Sequence, residues 1–135
     1  MTAVASAPTL AQHVPREGAR KDLNVVTSVS VAELPGSKTA SRFEGRDHGA
    51  TVSFFLTRHP PGTGVNLHRH PYEETFIVQE GEARYTIGGE TIEAKAGQIL
   101  IAPAGVPHRF VNSGKGPLRQ INIHPVARME TEWLE

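Results

Sequence analysis

Three histidines and one glutamate carry the chemistry open to this sequence. His68 and His70 flank Arg69, Glu74 follows beyond Pro71, and His108 closes the turn Pro103-Ala-Gly105-Val-Pro107. On an extended strand, residues i and i+2 point to one face, so the His68 and His70 imidazoles can reach a common point. Pro71 interrupts that strand, and Glu74 opens the next apolar run, Thr75-Phe76-Ile77-Val78. A carboxylate there can sit opposite the end of the preceding strand. Three imidazoles and a carboxylate form a mixed nitrogen/oxygen set suited to one divalent transition ion (Fe, Mn, Ni, Zn or Cu) with positions left open. The same residues also fit two surface histidines beside an acidic turn, because His-x-His alone is common. Glu73 is the rival carboxylate, and same-face parity favours Glu74.

Such a site needs strands to carry it, and the rest of the chain reads as strands. Residues 1–23, with Pro8, Pro15, Gly18 and a charged patch from Arg16 to Asp22, read as a flexible arm. The branched run Val25–Val31 predicts a first strand, ended by Pro35-Gly36. Lys38–Glu44 predicts a short edge strand. Ala50–Thr57, Val65–His70, Glu74–Gln79, Ala83–Ile87, Thr91–Ala94, Gln98–Ala102, His108–Asn112 and Leu118–His124 predict the others. Gly88-Gly89 has the chemistry of a two-residue hairpin turn. Short strands between Gly/Pro/Asn turns, with no helical period, indicate an all-β sandwich or barrel in a single domain over 24–128. Residues 129–135 are expected as a turn or short helix with Trp133 folded back on the barrel.

Fourteen basic and fourteen acidic residues cancel, which argues against nucleic-acid and anionic-membrane partners. There is no cysteine, so thiolate ligands and disulfides are excluded. No apolar run is long enough to span a bilayer, and the N-terminus makes a poor signal peptide. A cytoplasmic protein is the expectation.

The two histidine-bearing segments resemble the two motifs of the cupin superfamily. Gly62, His68, His70, Glu74 and Gly81 match the first, and Gly97, Pro103, Gly105, His108 and Asn112 match the second. The short stretch 82–96 between them is similar to that of small single-domain cupins (monocupins, the type-2 conserved barrel). The resemblance covers roughly residues 45–125 and implies a jelly-roll β-barrel, the double-stranded β-helix. It also implies metal ligation by His68, His70, Glu74 and His108, and a homodimer. The reaction it implies is open, since one fold hosts many functions. A metal-dependent enzyme acting on a small organic molecule comes first, dioxygenase-like or isomerase/lyase-like, with Glu74 as possible catalytic proton acceptor. The alternative is a non-catalytic ligand-binding or sensing module with a structural metal.

Gly81, Gly97 and Gly105 read as turn residues. Pro103 and Pro107 aim the turn presenting His108, and Asn112 is expected to bond backbone. His13 lies in the arm and His48 in a polar surface turn, while His59 could cover the pocket mouth. Gln120, Asn122 and His124 share one strand face and Ile121 and Ile123 the other. Packing in a small barrel favours the isoleucine face inward, with pocket lining by the polar face as the alternative. Phe54, Phe76, Tyr85, Ile99, Ile101 and Phe110 are expected in the barrel core, and Tyr72 near the mouth. Arg58, Arg69, Arg84 and Arg109 read as solvated.

Overall fold

A computed structural model describes residues 26–135. The expected arm, residues 1–23, lies outside them, as do His13 and Val25. Ten strands follow in order: β1 (Ala40–Phe43), β2 (Ser53–His59), β3 (Gly64–Arg69), β4 (Glu74–Glu80), β5 (Glu82–Ile87), β6 (Glu90–Lys95), β7 (Ile99–Ala102), β8 (His108–Asn112), β9 (Leu118–His124) and β10 (Glu132–Trp133). They form two five-stranded antiparallel sheets, ordered β1-β2-β9-β4-β7 and β10-β3-β8-β5-β6. The sheets face each other as the expected jelly roll. Short 3-10 turns at Val31–Glu33 and Gly45–Asp47 are the only helical elements among the described residues.

Strand alternation sends Phe76 and Val78 of β4, Tyr85 of β5, Phe110 of β8 and Leu118 of β9 into one core. Phe76, Tyr85 and Phe110 meet with ring centroids 5.2 to 6.2 Å apart. Each such aromatic pair adds roughly 0.5–1.5 kcal/mol beyond its buried area. Gly88 (φ 62°) and Gly89 form the two-residue turn joining Ile87 to Glu90, as its sequence predicts. Gly81 turns the chain at φ 90°, and a Cβ there would lie 2.3 Å from the Pro117 carbonyl oxygen. Only glycine fits that position.

Four expectations need correction. Val26–Ser30 is not a strand, and Val31 begins a 3-10 turn. The edge that this segment would need is taken, because Pro35–Ser37 folds back onto β1 through Arg42 N–H to Pro35 O (2.7 Å) and Ser37 N–H to Ala40 O (2.8 Å). A branched sequence forms a strand only where an edge and a buried face await it. Residues 129–135 form no helix; Glu132–Trp133 becomes a strand on the open edge of β3, and Arg69 pairs with Glu132 at 2.8 Å. Ile99 and Ile101 are exposed, while Leu100 and Ala102 turn inward. Phe54 lies on the outer sheet face, stacked on Phe43 at 4.6 Å, with Phe43 in turn stacked on His48. Its neighbour Phe55 is the one that lines the interior cavity.

Candidate metal centre

The end of β3 supplies His68, with His70 just beyond it, the start of β4 supplies Glu74, and the start of β8 supplies His108. All four side chains are buried, and one ligand atom from each lies within 4.8 Å of the others. His68 and His108 are partners across β3 and β8. A β-bulge between Val65 and His68 resets the pleat, so that both line the same cavity despite their odd separation. Glu73 is exposed, which leaves Glu74 as the inward carboxylate.

Hydrogen bonds set the tautomers. The Nδ1 atoms of His68, His70 and His108 face the carbonyl oxygens of Asn66 (2.8 Å), Glu130 (2.7 Å) and Val106 (2.9 Å). A carbonyl only accepts, so each Nδ1 donates, and in the neutral ring Nε2 is then a bare lone pair. The Nε2 atoms of His70 and His108 each lie 3.0 Å from Glu74 Oε1, and that of His68 lies 3.9 Å from it. Three lone pairs and a carboxylate oxygen converging in a buried space repel one another unless a cation stands between them. Their donor types, tautomers and burial fit a divalent transition ion, and the carbonyls play the orienting part that such ligands need.

Electrostatics agree. Burial alone would push the Glu74 carboxyl up, but the imidazoles of His108, His124, His68 and His70 outweigh it and hold the group well below the usual carboxylate range. For His70 burial pulls the other way, and its bonds to Glu74 and the Glu130 carbonyl leave it raised. The Tyr72 hydroxyl is pushed up to about 12, chiefly by burial.

A fourth imidazole joins the cluster. Contrary to the packing expectation, Gln120, Asn122 and His124 face inward and are buried, while Ile121 and Ile123 lie on the outer side, half-buried. The barrel interior holds an ionised carboxylate, and the polar face of β9 serves it. His124 Nε2 lies 3.3 Å from Glu74 Oε2 but too poorly aligned for a hydrogen bond. Its Nδ1 meets the Tyr72 hydroxyl at 2.7 Å, and that hydroxyl accepts the Glu130 N–H at 3.1 Å. When the hydroxyl proton goes to Nδ1 rather than to the Glu130 carbonyl oxygen 3.3 Å away, His124 presents N–H toward Oε2 and leaves Oε1 to the other three imidazoles. The polar alternation of β9 was the available signal. His124→Leu is therefore expected to weaken metal binding about 10- to 100-fold while the protein stays folded. A chelator competition titration reads this, and an unchanged affinity would refute the role.

Asn112 bonds backbone as expected, donating to the carbonyls of His59 and Gly116 (both 2.8 Å) and accepting the Gly114 N–H. His59 is buried within the barrel cavity instead of covering its mouth. That cavity, about 240 Å³, is walled by Phe55, Val65, Phe110 and Trp133 beside the His68, His70 and Glu74 cluster. Trp133 tilts over His68 at a ring distance of 4.9 Å.

Comparison with known proteins adds a family and a fold. The Cupin domain profile matches residues 55–124. A Streptomyces cyaneus protein named polyketide synthase CurC is 38% identical over 82 residues, covering 58% of this chain and 53% of its own. An oxalate-binding protein of Thermotoga maritima is 31% identical over 77 residues, 56% of this chain and 64% of its own. The matched region thus spans only 53% and 64% of the length of these two relatives. A Klebsiella pneumoniae crystal structure with a double-stranded β-helix domain superposes with a TM-score of 0.63 at 27% identity, covering 80% of this chain and 96% of its own.

Proposed function

The chain belongs to the cupin family, and from that premise we propose that it is a metal-dependent enzyme acting on a small organic molecule inside the barrel. The observation that carries the reading is the convergence of three Nδ1-anchored imidazoles on the buried Glu74 carboxylate at the wall of an apolar cavity. His68, His70, Glu74 and His108 would hold one divalent transition ion, which supplies Lewis acidity and open positions for an incoming oxygen atom. Glu74 is the proton acceptor. Its imidazole partners keep it ionised, and its carboxylate would take the proton of an enol, a phenol or an acidic C–H, leaving the electron pair on the substrate. That first step is shared by dioxygenase-like and isomerase/lyase-like reactions. Phe55, Val65 and Phe110 line the cavity with apolar surface and keep water from the reacting atoms.

A second reading, a binding module without turnover, is favoured by the relative named as an oxalate-binding protein. The two separate cleanly in one experiment. Untagged protein is analysed for metal and screened for turnover against enols, phenols and hydroxy acids, before and after chelation and in His68→Ala. The enzyme reading expects stoichiometric metal, and turnover lost on chelation and lost in the variant. Turnover surviving both, or ligand retained unchanged after long incubation with O₂, overturns it.

A further inference from the structure

The cavity holds polar atoms that nothing in the protein satisfies. Both ring nitrogens of His59 and the side-chain oxygen of Asn122 are buried without a hydrogen-bond partner among the described residues. The two residues are 3% and 5% exposed, and both line the cavity that opens onto the metal cluster. An unpaired buried polar atom carries its full desolvation cost, so such atoms in a folded protein point to a missing partner.

Both side chains stand on firmly paired backbone. The His59 backbone carbonyl is held by the Asn112 side chain at 2.8 Å, and its register on β2 is fixed by pairing with Leu118 of β9. Its ring stands edge-on to Phe110 with centroids 5.3 Å apart. Asn122 sits between Phe55 of β2 and Phe76 of β4, its partners in the two neighbouring strands. Each is thus a fixed polar point set in an aromatic wall. Four residue steps of β2 separate Phe55 from His59, about 13 Å of strand, so Asn122 lies toward the metal cluster and His59 far along the cavity.

The chemistry of these points selects a ligand. Burial holds the His59 imidazole below its ordinary value, so the ring is neutral and offers one donor and one acceptor. The free oxygen of Asn122 needs a donor. No lysine or arginine among the described residues lines the cavity to neutralise an anion. We propose that His59 and Asn122 are the substrate-recognition residues of this cavity, and that they take an uncharged molecule with an apolar body and hydroxyl groups, not a small dicarboxylate. The proposal rests on the enzyme reading only for the word substrate, since the binding itself needs no turnover.

Phenol and toluene, matched in shape and differing in the hydroxyl, are the probes, with oxalate as the anionic control. Isothermal titration is run on the protein both metal-free and metal-loaded. In metal-free wild type, phenol binds at least about tenfold more tightly than toluene, the value of one hydrogen bond to an otherwise unpaired buried group. Oxalate binds more weakly than phenol. Phenol's one hydroxyl reaches only one of these two points at a time, so the double variant His59→Leu/Asn122→Leu abolishes the phenol preference while retaining toluene, and His59→Gln/Asn122→Leu, which keeps a donor and an acceptor at 59, restores part of it. His59→Leu melts no lower than wild type without ligand, because it removes an unsatisfied group. In the metal-free protein, equal binding of phenol and toluene, no binding of either, tighter binding of oxalate, or a His59→Leu protein that melts far lower or fails to fold overturns the proposal. Failure of the enzyme reading would show in metal content and turnover and leaves the metal-free titration untouched.

Discussion

Glu74→Gln is expected to keep the fold and lose metal affinity by at least about two orders of magnitude. The substitution preserves shape and removes the charge on which three Nε2 atoms converge, two of them at 3.0 Å. It also places an amide N–H₂ beside imidazole lone pairs, where it can donate to one of them and withdraw that nitrogen from ligation. In the metal-free variant that bond only partly replaces those of the ionised carboxylate, which the imidazoles hold well below its ordinary range, so its melting temperature should fall while the fold is kept. Glu73→Gln is the matched control: that carboxylate is exposed on the other side of the strand entry and should change neither quantity. Competition with a chromophoric chelator gives the affinities, and differential scanning fluorimetry the folds. A Glu74→Gln protein that binds metal within threefold of wild type would remove Glu74 from the ligand set, and with it the proton-acceptor role.

Parity explains which parts of this site were legible in sequence. His68 and His70 are separated by one residue, and Glu74 rather than Glu73 heads its strand, so a period of two is enough to bring them to one point. The positive φ of Gly81 and Gly105 follows from turns that no other residue closes as easily. Parity fails where a strand carries similar residues on both faces. Ile99-Leu100-Ile101-Ala102 is apolar throughout, and only its register on β4, which pairs Leu100 with Phe76 and Ala102 with Glu74, decides that the isoleucines face out. It fails again at the bulge in β3, which changes face between Val65 and His68. It misled at β9 because the usual rule, apolar side inward, assumes a dry apolar interior. This interior contains Glu74, and Tyr85, Gln120, Asn122 and His124 form a polar seam through it, with the Tyr85 hydroxyl bonded to the Gln120 side-chain oxygen. Val26–Val31 misled for a different reason: strand propensity is local, whereas the vacancy of an edge is a property of the assembled sheet.

The same cluster predicts opposite pH responses for the metal-free and metal-loaded protein. Glu74 is held well below its ordinary value of 4.5, so the stability that it contributes is present above that value and lost as pH falls through the lower folded one. His70 is raised above its ordinary 6.5, so its contribution is complete below that pH and lost as pH rises through the folded value. Both contributions are in place together only between 4.5 and 6.5, and metal-free protein should be most stable in that window. Metal reverses the upper limb, because a protonated Nε2 cannot ligate. Each proton displaced makes binding about tenfold tighter per pH unit until its group is deprotonated. Ligand-linked stabilisation grows with the ratio of free metal to Kd, so the rise in melting temperature on adding zinc should widen steadily from about pH 5.5 to about pH 8. Melting curves with and without saturating zinc across that range supply the measurement. A zinc increment that stays flat or narrows as pH rises would mean that the imidazoles are not the groups exchanging protons for metal, whatever else the cavity binds.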